Sequence, residues 1–176
     1  MRFQPLALDG LLLIQPERRL DERGYFVRTF CEDEFAAHGL PTRFPQCNAS
    51  FNTHRGTLRG LHWQDDPFPE GKLVRCVRGS VFDVAVDIRP GSPTRGGWVS
   101  ATLTAENGDA LFIPPGFAHG FQALEDGTEL FYQMTERFRD GMARGLRWDD
   151  PVLDIRWPLP DPVVSARDAV LPLFQA

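Results

Sequence analysis

Residues 72–94 read KLVRCVRGSVFDVAVDIRPGSPT, and this stretch decides the fold. Phe82, Val84, Val86 and Ile88 alternate there with Val81, Asp83, Ala85 and Asp87. Successive side chains of a strand point to opposite faces, so a period of two predicts a strand with one apolar and one mixed face. Asp83 and Asp87 share the mixed face. Such a face looks into solvent in many antiparallel sheets and lines a polar cavity in a small barrel. Both possibilities stand at this point.

Outward from this strand the chain keeps the same texture. WVSATLTAENGD follows as a strand and turn, ALFIPPGFAHGFQAL is an apolar run broken by Pro-Pro-Gly, and ELFYQMTERF is a strand with an aromatic rhythm. CEDEFAAHGL, from Cys31 to Leu40, predicts the one clear helix, with Gly39 near its end, and a second helix is expected around Ser165–Leu171. The 16 Gly and 15 Pro are spread along the chain and mark no linker. Many short strands with few helices predict an all-β fold, a sandwich or a jelly-roll barrel with a few short peripheral helices, as a single domain over residues 1–176.

Composition narrows the function. A hydrophobic fraction of 42% supports a real core, and a net charge of −5 offers no broad basic face for nucleic acid. An anionic ligand must then be held by a local cluster of Arg and Lys. Three cysteines with no CxxC spacing read as buried free thiols. The apolar stretch Leu11–Ile14 is too short for a signal peptide, and no apolar run nears the roughly 20 residues of a spanning helix. A cytoplasmic protein with no membrane partner is expected.

Four histidines and two tyrosines keep the search for chemistry small. His38 falls in the helix and His54 in a polar loop, and both read as surface residues. His62 lies in TLRGLHWQ and His119 in PPGFAHGF, each beside glycine. Either can be a satisfied structural histidine. Gly108–His119, GDALFIPPGFAH, resembles the second motif of the cupin superfamily, a jelly-roll barrel that often carries a metal. The His-x-His of the first cupin motif is absent, because the strand offers His62-Trp63-Gln64, so no metal is expected.

The other reading is proton transfer next to a carbonyl, which needs a base near neutral pKa, a cation for the enolate oxygen and an acid to return the proton. Histidine fits the first role. Lys72 and Arg59 could supply charge and Tyr132 a proton, but an edge-strand lysine and a core aromatic are equally ordinary readings.

At RGLHWQ the chain comes to resemble the dTDP-4-dehydrorhamnose 3,5-epimerase family. DERGYF (21–26), QCNAS (46–50), TLRGLHWQ (57–64), residues 71–94, FIPPGFAHGF (112–121), LRWDDP (146–151) and SARD (165–168) follow family blocks in order. The resemblance implies a homodimeric cupin barrel working without metal or cofactor on a nucleoside-diphosphate 4-keto-6-deoxy hexose. It implies His62 as base, Asp168 as its dyad partner, Tyr132 as proton donor and Lys72 at the enolate. Arg23, Gln46, Asn48, Arg59 and His119 match positions that hold sugar and diphosphate. Some branches invert only C3 or only C5, and Tyr132 is expected to favour completion at C5.

The chain departs from the family at Arg28, where Glu is usual, at Phe138, where Tyr is usual, and at Gln133 and Ala143. Arg167 replaces the lysine before Asp168, and the SFNTHRG loop is one residue longer. In relatives the positions of Arg28 and Phe138 lie mostly around the nucleobase, so base recognition is expected to differ. A last expectation is geometric. Arg59 and His62 are an odd number of residues apart, so sharing one pocket requires a bulge near Gly60.

Overall fold

The computed structural model describes residues 1–175. Its strands are β1 (Arg2–Pro5), β2 (Leu12–Gln15), β3 (Arg18–Asp21), β4 (Gly24–Val27), β5 (Gln46–Asn52), β6 (Leu58–Gln64), β7 (Lys72–Arg78), β8 (Ser80–Asp87), β9 (Trp98–Thr104), β10 (Ala110–Ile113), β11 (Phe117–Ala123), β12 (Thr128–Met134) and β13 (Ala143–Gly145). A six-stranded sheet in the order β1-β2-β10-β7-β12-β5 faces a five-stranded sheet in the order β13-β6-β11-β8-β9, and β3 and β4 form a separate hairpin. All pairings between named strands are antiparallel. This is the jelly-roll barrel the sequence predicts.

The predicted strand at residues 80–87 is β8, and it is buried on both faces. Val81 and Ala85 pack with Val74, Leu103, Leu111, Phe121 and Leu130 between the sheets. Val84 and Val86 pack on the outer side, with Leu146, Leu153, Ile155 and Phe174 of the C-terminal segment. Asp83 and Asp87 are both fully buried, so the mixed face looks inward and not into solvent. Asp83 pairs with His119, and Asp87 accepts from Arg89, Ser92 and Thr94, which holds its carboxyl far below the usual carboxylate range.

The helix α1 (Glu32–Ala37) is shorter than CEDEFAAHGL, and Gly39 follows it at φ +69°, the left-handed conformation that suits glycine after a helix. Its Phe35 is fully buried against Ile14, Leu73, Ala110 and Phe112. That burial contributes about 1.5–3 kcal/mol. The helix expected around Ser165–Leu171 is only a single 3-10 turn, Asp168–Val170. Pro172 follows within two residues of its end and cannot continue a helical hydrogen-bond ladder. The cysteine expectation also needs correction: Cys76 is buried, Cys31 half-buried and Cys47 exposed, because Cys47 lies on the outer face of the edge strand β5.

The irregularity expected near Gly60 is present. His119 stands opposite His62, and Phe121 opposite Arg59, so three residue steps on β6 match two on β11. Gly60 has φ +125°, and a Cβ there would lie 2.5 Å from the Gly120 Cα and 2.8 Å from the His119 carbonyl oxygen. Only glycine fits so close a backbone approach. The extra residue restores parity and brings Arg59 and His62 to one side.

Candidate active site

Strands β5, β6, β7, β11 and β12 line a cavity of about 810 Å³. His62, Lys72, Tyr132 and Asp168 line it together, with Gln46, Asn48, Arg59, His119, Phe138 and Arg167. Ten of the twelve residues singled out from the sequence therefore meet in one place.

Register explains the convergence. On β5, Gln46 and Asn48 stand opposite Met134 and Tyr132 of β12, and Lys72 of β7 stands opposite Met134 from the other side. These residues share the inner face. Asp168 arrives from far along the chain on a C-terminal segment pinned to the barrel. Leu58 N–H donates to the Val163 carbonyl and Val163 N–H to that of Gly56, at 2.9 and 3.0 Å. Gln122 binds both the N–H and the carbonyl of Leu159, each at 3.0 Å.

His62 Nε2–H donates to Asp168 Oδ1 at 2.8 Å, which leaves Nδ1 as the unprotonated nitrogen. The other carboxylate oxygen accepts the Gly60 N–H at 3.3 Å, and Asp168 N–H donates to Ser165 Oγ at 3.1 Å. Burial holds the His62 imidazole below its usual value, outweighing the opposite pull of Asp168, so it is a neutral base at neutral pH. Lys72 Nζ donates to the His62 carbonyl at 3.1 Å and pairs with Glu70 at 3.1 Å, both side chains being 9% exposed. Tyr132 is raised above its usual value by burial and, in addition, by the Glu70 charge, while Arg59 pulls the other way. Its hydroxyl therefore stays protonated well into the alkaline range.

His119 is held by a second carboxylate, with Nε2 at 3.0 Å from each oxygen of Asp83. Gln46 Nε2 donates to Asn48 Oδ1, and Gln46 Oε1 accepts the Phe138 N–H at 3.0 Å, tying the loop that carries Phe138 to the cavity wall. Phe138 itself is 58% exposed at the mouth.

Arg23 and Arg28 are not brought in. Arg23 sits at the tip of the β3–β4 hairpin, 84% exposed and paired with Asp21, while Arg28 pairs with Glu34 near the Met1 ammonium. The departures from the family pattern are accordingly split: Phe138, Ala143 and Arg167 line the cavity, whereas Arg28 and Gln133 do not. Glu70 and Asn52 escaped the sequence reading. The spacing of Glu70 and Lys72, two residues apart before a strand, is the signal that could have found the first.

The cupin metal does not fit this donor set. His62 and His119 each give Nε2 to a carboxylate, and the Gln64 amide is spent on the Phe68 and Arg137 carbonyls and the Arg139 N–H. Among the described residues no three His, Cys, Asp or Glu side chains cluster as ligands.

A base oriented by a carboxylate, faced by an ammonium and a protonated phenol in one cavity, suits proton transfer beside a carbonyl. Fold and chemistry together define the class, a cupin-fold isomerase. The family model described as dTDP-4-dehydrorhamnose 3,5-epimerase matches residues 5–176. A dTDP-4-dehydrorhamnose 3,5-epimerase of Sinorhizobium fredii is 47% identical, with 98% of this chain and 89% of that protein covered. The crystal structure of the Bacillus anthracis enzyme of that name, with TDP and pyrophosphate bound, superposes with a TM-score of 0.96 at 34% identity, covering 98% and 99% of the two chains. A Legionella pneumophila dTDP-6-deoxy-D-glucose-3,5-epimerase in complex with dTDP-4-keto-L-rhamnose does so at 0.90 and 39%, covering 99% of each. This chain belongs to the dTDP-4-dehydrorhamnose 3,5-epimerase family.

Proposed function

We propose that the chain is an epimerase that inverts C3, C5 or both in a nucleoside-diphosphate 4-keto-6-deoxy hexose, of the dTDP-4-dehydro-6-deoxyglucose to dTDP-4-dehydrorhamnose type. The observation that carries this reading is the 2.8 Å His62–Asp168 pair inside a cavity that also holds Lys72 and Tyr132. The C4 ketone acidifies the neighbouring C–H bonds. His62 Nδ1 takes the proton, the C–H electron pair forms the enolate double bond, and the carbonyl oxygen gains the negative charge. Lys72 stabilises that oxygen, and Asp168 stabilises the imidazolium. Tyr132 returns a proton to the opposite face, and a second proton transfer restores the phenol and imidazole.

Gln46, Asn48 and His119 hold the sugar, Arg59 and Arg167 the diphosphate, and Phe138 stacks on the base. The four cavity cations Arg59, Lys72, Arg144 and Arg167 form the local cluster that an anionic ligand needs in an acidic protein. The whole chain, residues 1–176, serves as one domain.

The working form is a homodimer. Leu20, Tyr25 and Phe26 on the hairpin and Phe51 and Val77 on the outer face of the six-stranded sheet are all exposed, and the buried Arg75 Nε has no hydrogen-bond partner. Apolar patches of this kind mark interfaces. In the dimer, the hairpin delivers Arg23 and Arg28 to the cavity of the second copy.

The test is incubation with dTDP-4-keto-6-deoxyglucose in deuterated water, followed by NMR at C3 and C5. Label at both centres supports double epimerisation, and label at one narrows the activity to that centre. No exchange with the dTDP sugar but exchange with a GDP or CDP counterpart moves the nucleotide assignment. No exchange with any of them favours a binding module without turnover.

A further inference from the structure

We propose that Asn52 is the positioning residue for Arg59, holding its guanidinium at the cavity mouth without neutralising it. This rests on the reading of Arg59 as a diphosphate ligand. Asn52 closes β5 and is 1% exposed. Its Nδ2 donates to the Ser50 and Thr128 carbonyls, each at 3.2 Å. Two carbonyls fix which way the amide faces, so Oδ1 must point at Arg59, where it accepts the Nε–H at 2.9 Å. One terminal nitrogen of the same guanidinium donates to the Phe51 carbonyl at 3.2 Å.

The partners of Arg59 are all neutral, and of the four cavity cations only Arg59 and Arg167 make no ion pair with a carboxylate among the described residues. Arg23, Arg28, Arg139, Arg144 and Arg147 each pair with a carboxylate, whereas Arg59 makes no ion pair among the described residues. Its full charge is left for an anionic ligand. A long side chain held in advance also loses less rotamer freedom on binding. The remaining terminal nitrogen makes no hydrogen bond among the described residues and is available to phosphate oxygens.

The test is a double-mutant cycle on the full chain, with dTDP binding read by calorimetry in wild type, Asn52→Ala, Arg59→Ala and the double variant. Asn52→Ala is expected to weaken dTDP about tenfold, the order of a lost hydrogen bond to a charged group. The same change made on Arg59→Ala should have under about twofold effect, because removing Arg59 removes what Asn52 acts on. In turnover, KM should rise more than kcat falls. Equal weakening with and without Arg59, or none in either, overturns the proposal.

A second measurement needs no ligand: the Arg59 Nε–H in wild-type protein should exchange slowly with solvent, and Asn52→Ala should abolish that protection. Rapid exchange in wild type overturns the proposal even if Asn52→Ala does not fold. Wild type that binds no dTDP while its Nε–H is protected would sink the functional reading and leave the positioning intact.

Discussion

His62 and Tyr132 set opposite limits on pH. The His62 imidazole is held below its usual value near 6.5, so it keeps its free lone pair at neutral pH and loses it only on acidification below that value. Burial raises Tyr132 above its usual value near 10, so its hydroxyl stays protonated at neutral pH. The expected profile of kcat/KM has an acid limb centred below pH 6.5, a flat neutral region and no alkaline limb from Tyr132 centred below pH 10. An acid limb centred above pH 7 would contradict this environment for His62. Tyr132→Phe should leave deuterium entry at C3 largely alive while impairing completed inversion, above all at C5. An unchanged product ratio would argue against the donor role. At this scale the sequence was informative wherever a residue sat in a recognisable block. It was silent on Asn52, whose role depends on Arg59 being close in space, and offered for Glu70 only its spacing from Lys72. It also put Arg23 and Arg28 with the site, which a single copy of the chain does not do.

Strand β6 shows how much an element can be read in advance. The odd separation of Arg59 and His62 demanded an extra residue if both were to serve one pocket, and the register shift against β11 supplies it. Gly60→Ala should therefore cost about 1–3 kcal/mol of stability, the usual cost of overpacking, seen as a lower urea midpoint, and activity should fall with it. A variant as stable and active as wild type would show that the close approach to Gly120 is dispensable. Strand β8 shows the reverse. Its alternation was plain, but the direction of the mixed face was not, because the C-terminal residues that cover Val84 and Val86 lie sixty or more positions away. A separation of 106 positions likewise hid the path by which Asp168 reaches His62. The single 3-10 turn at Asp168–Val170 is too short to leave a periodic signal, so its extent was not legible in the sequence.

At the scale of the whole molecule, the hairpin is the element the barrel does not account for. It carries exposed Leu20, Tyr25 and Phe26 and the paired but uncommitted Arg23. Light scattering should give twice the chain mass, and Arg23→Ala should weaken dTDP binding by about tenfold, the order expected for a lost charged hydrogen bond, although Arg23 lies outside its own chain's cavity. A monomer in solution, or unchanged binding, would remove the hairpin from the site. No helix among the described residues is long and apolar enough to cross a membrane. The proposed role of His62, held by Asp168, is that of the base. Its most direct measurement compares solvent-deuterium entry into dTDP-4-keto-6-deoxyglucose by wild type and by His62→Ala, with folding checked by circular dichroism. Label is expected from the wild type, with at least a 100-fold slower rate from the variant at every labelled centre, the lower end of what a general base contributes. Substantial residual exchange in a folded His62→Ala protein would contradict it.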